Sequence, residues 1–128
     1  MHTTNYSDTF IEVAEDCPVR AAETPLSKEP KTAAQIQYEM VASNPYRYTS
    51  DDVLYASNGE RRGVSRDAFF SKGQPCFRSS PLTKRYGWGV HSDEEGRIAL
   101  YAVESAEYKK LASDRHLSHV KGMRSTRA

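Results

Sequence analysis

The sequence predicts an α+β domain: a small antiparallel sheet with a central hairpin, and helices packed on one face. Three observations predict it. The 128 residues are the length of one domain, taken as residues 1–128. The runs KRYGWGVHS and RIALYAV alternate large and small or polar side chains around DEEG, an acidic loop ending in glycine, as a β-hairpin does. Before and after this hairpin stand segments with helix caps and stops instead.

The elements follow in order. DTFIEVAED reads as a first strand from Thr9 to Ala14, because Phe10, Ile11 and Val13 favour extended backbone. CPVRAAETPLSKEPK has three prolines and no apolar period, so it reads as an exposed loop. KTAAQIQYEMVASNP is the clearest helix. Thr32 is its N-cap, Gln35 stands at the capping-box position, Ile36 and Met40 share a face, and Pro45 stops it. YTSDDVLYASNGERRGV reads as a helix capped by Ser50 with Asp51 and Asp52 in its first turn, ending at Asn58-Gly59 or running on to Gly63. SRDAFFSKG repeats that pattern in shorter form, with Ser65 as cap and Gly73 as stop. After the hairpin, ESAEYKKLASD is helical and LSHVKGMRS is a last strand, too poor in apolar residues to lie anywhere but an edge.

Composition sets the class. A chain of this size buries about two-thirds of its unfolded surface and needs no disulfide or metal staple. No signal peptide and no run of about 18 apolar residues is present, so a soluble, cytoplasmic protein without membrane contact is expected. Cys17 and Cys76 are then expected as two reduced thiols. Net charge is +1, but it is segregated: residues 1–30 carry −4, 61–90 carry +6, 91–107 carry −4 and 108–128 carry +5. Blocks of this kind either pair with one another or leave a basic face that attracts an anion.

The stretches MHTTNYSDTFIEVAEDCP, NPYRYTSDDVLY, the long block from Phe69 to Tyr108 and the closing KGMRSTRA together resemble a family of short bacterial proteins that is a domain of unknown function. The resemblance spans nearly the whole chain. It implies a bacterial, single-domain, cytoplasmic protein and carries no activity, cofactor or catalytic residue with it. The chain departs from the family's smoother helical run at YASNGERRG.

Several clusters are candidates for function. Arg78, Lys84, Arg85 and Arg124, with Lys121 and Arg127, supply cations for phosphate; Trp88, Tyr86 and Phe77 supply rings for stacking; Ser79, Ser80 and Thr83 supply hydroxyls. The ligand-binding set taken from them is Arg78, Lys84, Arg85, Trp88 and Arg124. It makes a non-enzymatic binding module for an anionic partner, nucleic acid or a phosphorylated ligand, the favoured reading. The bland alternative is that the rings point into the core and the cations pair with Glu94, Glu95 and Glu104. A second reading is a small enzyme pairing Cys76 with His91, since a nucleophilic thiol needs a base or a positive field. A third is a protein-interaction subunit with a tyrosine-rich face. His116 and His119 lack a third ligand, the paired carboxylates have structural explanations, and no glycine-rich phosphate loop occurs, so no metal and no cofactor is expected.

Overall fold

The computed structural model describes residues 2–126. Four strands form one sheet: β1 (Thr9–Glu12), β2 (Trp88–Ser92), β3 (Ile98–Ala102) and β4 (Ser118–Lys121), in the order β3-β2-β1-β4. Five short α-helices accompany them: α1 (Ala33–Ala42), α2 (Ser50–Leu54), α3 (Arg66–Phe69), α4 (Pro81–Lys84) and α5 (Ala106–Ala112). The α+β class is as expected. The hairpin is also as expected, with β2 and β3 antiparallel and Val90 opposite Leu100. β1 extends it antiparallel, with Ile11 opposite Val90.

Three features correct the expectation. The hairpin is not central, because β3 is the outer strand and β2 and β1 form the middle of the sheet. The sheet is mixed rather than antiparallel, because β4 runs parallel to β1, with Ile11 opposite Val120. Two strands lie between β3 and β4, so only a crossover can join them, and α5 supplies it. The helices therefore do not share one face. Side chains alternate along a strand, and both faces of β1 are covered, with Phe10 0% and Ile11 1% exposed. Ile11 enters the main core with Val41, Val53, Leu54, Phe77, Leu82, Val90 and Ile98. Phe10 points the other way, where the ring of Tyr108 on α5 meets it edge-on at 5.0 Å.

Local chemistry explains the helices. Thr32 caps α1 by accepting from the Gln35 amide at 3.2 Å. The Gln35 side chain does not close the box; its Oε1 accepts from the Lys28 amide instead. The buried residues of α1 are Ala34, Gln35, Gln37 and Val41; Met40 packs against the core half-buried, and Ile36 is half-buried. The cap of α2 is Thr49, one residue before Ser50, in a reciprocal capping box with Asp52. Asp51 holds the N-terminal segment by accepting from the Thr4 amide at 2.6 Å and the Thr3 hydroxyl at 2.7 Å. Ser65 and Ser105 cap α3 and α5. The proline-containing loop 17–31 lies on the β2 end: the Glu23 amide donates to Tyr86 O, and its carbonyl accepts from the Trp88 indole at 2.9 Å.

Candidate functional site: a cationic cleft beside the sheet

The helical run begun at Ser50 does not stay regular. After Leu54 it widens into a π turn over Tyr55–Gly59, tightens into a 3-10 turn over Glu60–Arg62, and stops at Gly63 in the left-handed conformation, φ 72°. A π turn inserts one extra residue and is often found where a helix serves a site. Gly59 makes it fit: a Cβ there would lie 2.7 Å from the Tyr55 ring and 2.8 Å from the Phe69 ring. Departure from a regular helix at YASNGERRG is therefore a built feature. It presents Asn58, Arg61 and Arg62 to a cleft of about 590 Å³.

The floor and walls of this cleft come from four segments. Leu54, Phe69, Ala33 and Pro81 make it apolar; Arg61 and Arg62 stand on its rim, and Gln74, Cys76 and Ser79 close its other side. No lining residue is acidic. Among the described residues neither Arg61 nor Arg62 has a carboxylate partner within 4 Å. Arg62 is held from within, its Nε donating to Asn58 O.

A buried polar chain ties the walls together. Gln37, 2% exposed, donates from Nε2 to Ser57 Oγ at 3.1 Å, and its Oε1 accepts from Ser80 Oγ at 2.7 Å. Ser57 Oγ donates on to Val53 O at 2.9 Å, and Ser80 Oγ accepts from the Leu82 amide at 3.1 Å. A single glutamine thus links α1, the π turn and the N-terminus of α4. Buried polar groups cost stability unless paired, so this chain locks the cleft geometry.

Cys76 lies at the cleft wall, and its Sγ is 3.4 Å from Tyr6 Oη. Burial foremost, and then contact with the thiol, pushes the Tyr6 phenol above its ordinary range against the nearby Arg78 guanidinium. The expected thiol–imidazole pair does not form. His91 occupies the opposite face of the sheet, beside Phe10, and its Nδ1 is 2.7 Å from Tyr46 Oη. Cys17 and Cys76 are both free thiols.

Of the expected binding set, Arg78 and the segment that carries Arg124 are brought together beside β4, where the Met123 amide donates to Arg78 O at 2.7 Å. Trp88 is half-buried against Tyr38 at 5.4 Å between rings, with its indole N–H spent on Glu23 O. Arg78 donates from Nε to Lys121 O at 2.6 Å. Arg124 and Lys121 both face Glu15, at 3.8 and 3.5 Å. Lys84 is half-exposed and Arg85 exposed at the end of α4, with no carboxylate within 4 Å among the described residues. Arg127 lies outside the described residues. Phe77 is fully buried, so it stacks on no ligand. Ser80 and Thr83 are buried as well, and the Thr83 hydroxyl donates to Phe77 O at 2.8 Å; Ser79 faces Met123 Sδ at 3.0 Å. The acidic partners expected for the basic block were also misassigned: Glu104 accepts from the Ala22 amide and Glu95 is 3.8 Å from Arg97. Of the eight tyrosines Tyr108 is buried and the other seven are half-buried. His119 in β4 contacts Asp114 O, and no group of three metal-ligating side chains occurs among the described residues.

Opposite the cleft, Tyr46, His91 and Tyr101 form a second polar cluster, with Tyr46 Oη 2.7 Å from both partners. Tyr46 adopts φ 60°, which a bulky residue enters only when its surroundings hold it there. Burial lowers the His91 pKa, against the pull of Asp93, Asp8 and Asp114, and burial foremost raises that of Tyr46. Tyr101, Tyr46 and His91 Nδ1 are thus joined in one hydrogen-bonded chain. A histidine depressed on folding stabilises the protein fully above its unfolded pKa of about 6.5. As pH falls from there toward the folded value, the unfolded chain takes the proton first and stability declines. Urea unfolding at about pH 7.5 and 5.5 should show this loss, and His91→Gln should reduce it; an equal loss in both proteins would contradict the assignment.

Fold and cleft define the class: a small mixed-sheet α+β domain with an apolar, cation-rimmed cleft built against its main core. The chain belongs to the family of unknown function DUF6157, whose profile matches residues 1–128. No curated protein and no solved structure matches it. Among the described residues, no helix is long and apolar enough to cross a membrane.

Proposed function

We propose that this protein is a binding module for a small phosphorylated ligand, held in the cleft between Arg61, Arg62 and the Gln74–Pro81 segment. One observation carries the reading: among the described residues, two arginines without carboxylate partners overlook an apolar floor in a cleft that no acidic side chain lines. Arginine binds phosphate through charge-assisted, bidentate hydrogen bonds. The apolar floor of Leu54, Phe69 and Pro81 takes the uncharged body of the ligand, as pockets of this size do. A concave site favours a small molecule over a nucleic-acid strand, for which exposed rings would be wanted. The free thiols suit a reducing cytoplasm, the compartment we assign.

Calorimetric titration with AMP at low salt tests the proposal. AMP should bind, and replacing both Arg61 and Arg62 by alanine should weaken it by about tenfold to a hundredfold. Thermal stability should be nearly unchanged, because exposed cations contribute little to it. No binding, or equal binding by the double variant, would refute the reading.

A further inference from the structure

The cleft does not end at Arg62. A second depression of about 390 Å³ adjoins it, lined by Arg62, Val64, Ala68, Phe69, Lys72, Gly73 and Gln74. Arg62, Phe69 and Gln74 line both. Arg61 lies only in the first, and Lys72 only in the second. Arg62 is therefore the cation shared by a tract of two adjoining depressions, with Arg61 on the first and Lys72 on the second. Lys72 is exposed and, among the described residues, has no carboxylate within 4 Å. Among the described residues, no acidic side chain lines either depression.

We infer that the tract takes a ligand carrying at least two linked phosphates on a body with a flat heteroaromatic ring, apolar on its faces and polar at its edge, the chemistry of a nucleoside di- or triphosphate. This rests on the small-ligand reading above and adds to it the second anionic group. The ring occupies the apolar floor beside Leu54 and Phe69, the first phosphate meets Arg61 and Arg62, and the next extends over Gln74 to Lys72. Division of labour follows from the chemistry. The guanidinium fork of Arg62 bridges adjacent phosphates, whereas the ammonium of Lys72 acts as a point charge on the outer one.

The test compares AMP with ADP by calorimetry, without added metal, on the full chain and on Lys72→Ala. ADP should bind about tenfold more tightly than AMP to the native chain. Lys72→Ala should abolish most of that difference and leave AMP affinity unchanged, while Lys84→Ala, outside both depressions, should leave the difference intact. Equal affinity for the two nucleotides would overturn this inference and leave the AMP site standing. So would a Lys84→Ala variant that loses the preference as Lys72→Ala does, since bulk charge would then explain it. Absence of binding by either nucleotide would overturn both readings together.

Discussion

Gln37→Leu should destabilise the domain by about 2–3 kcal/mol, although leucine is close to glutamine in size. In the native protein the carboxamide links Ser80 Oγ, which donates to it, and Ser57 Oγ, which accepts from it. Leucine accepts nothing, so the Ser80 hydroxyl would be left as a buried donor without a partner. Ser57 would fare better, since it still donates to Val53 O and accepts from Asn58 Nδ2 at 3.3 Å. Most of the cost should therefore lie with Ser80. Adding Ser80→Ala removes the orphaned donor, so the double variant should lose at least about 1 kcal/mol less than the two single variants combined. Part of the Ser80→Ala effect comes from the cap it provides to α4, which the cycle cancels. Denaturant unfolding of the four proteins measures the coupling. Strict additivity would show that Gln37 and Ser80 do not act as one unit.

Gly89→Ala should cost about 2–3 kcal/mol, at the upper end of what a single added methyl does in a tight core. A Cβ at this position would lie 2.7 Å from Phe10 Cζ and 2.7 Å from Tyr108 Cε2. Both rings are buried and pack edge-on against each other, so neither retreats without breaking the contact that docks α5 on the sheet. The hydrogen bond from the Val13 amide to Tyr108 Oη, 2.9 Å, would be strained by the same shift. Thermal unfolding should show a lower midpoint with native-like secondary structure retained. Phe10→Leu made together with Gly89→Ala should recover part of the loss by opening space. A Gly89→Ala protein as stable as the native one would mean that α5 sits farther from β2 than the aromatic pair implies.

Much of the local structure was legible in the residues themselves. Thr32 and Ser65 cap helices because a short hydroxyl can reach an amide within the next turn. The hairpin was legible because its two strands and their turn are contiguous, so alternation and loop chemistry suffice. The parallel β4 was not, because its partner lies more than a hundred residues earlier and nothing local in SHVK states a direction. The second covered face escaped for a related reason: Gly89 marks where a ring approaches, but only the docked α5 says which ring. Thr49 rather than Ser50 caps α2 because both precede the acidic pair and only the backbone turn decides between them.

The candidate site divides in the same way. Arg61 and Arg62 belong to the +6 segment recognised from charge alone, and the interruption at Asn58-Gly59 was visible in the sequence. Convergence on Cys76, Ser79 and Pro81 was not, since it depends on the Gln37 bridge between three elements. The serines of the QPCFRSSP stretch drew notice as anion ligands, yet the hydroxyl of Ser80 is consumed inside that bridge. Trp88 drew notice as a stacking platform, yet its indole fastens the 17–31 loop. Side-chain type was readable at each position; what each side chain was already bonded to was not.

The most direct measurement is an amide chemical-shift titration of the isotope-labelled protein with AMP. The account predicts that the largest shifts map to Asn58, Arg61, Arg62, Gln74 and Ser79 around the cleft. Shifts that cluster instead at Lys84, Arg85 and Arg124, or no shifts at all, would contradict it.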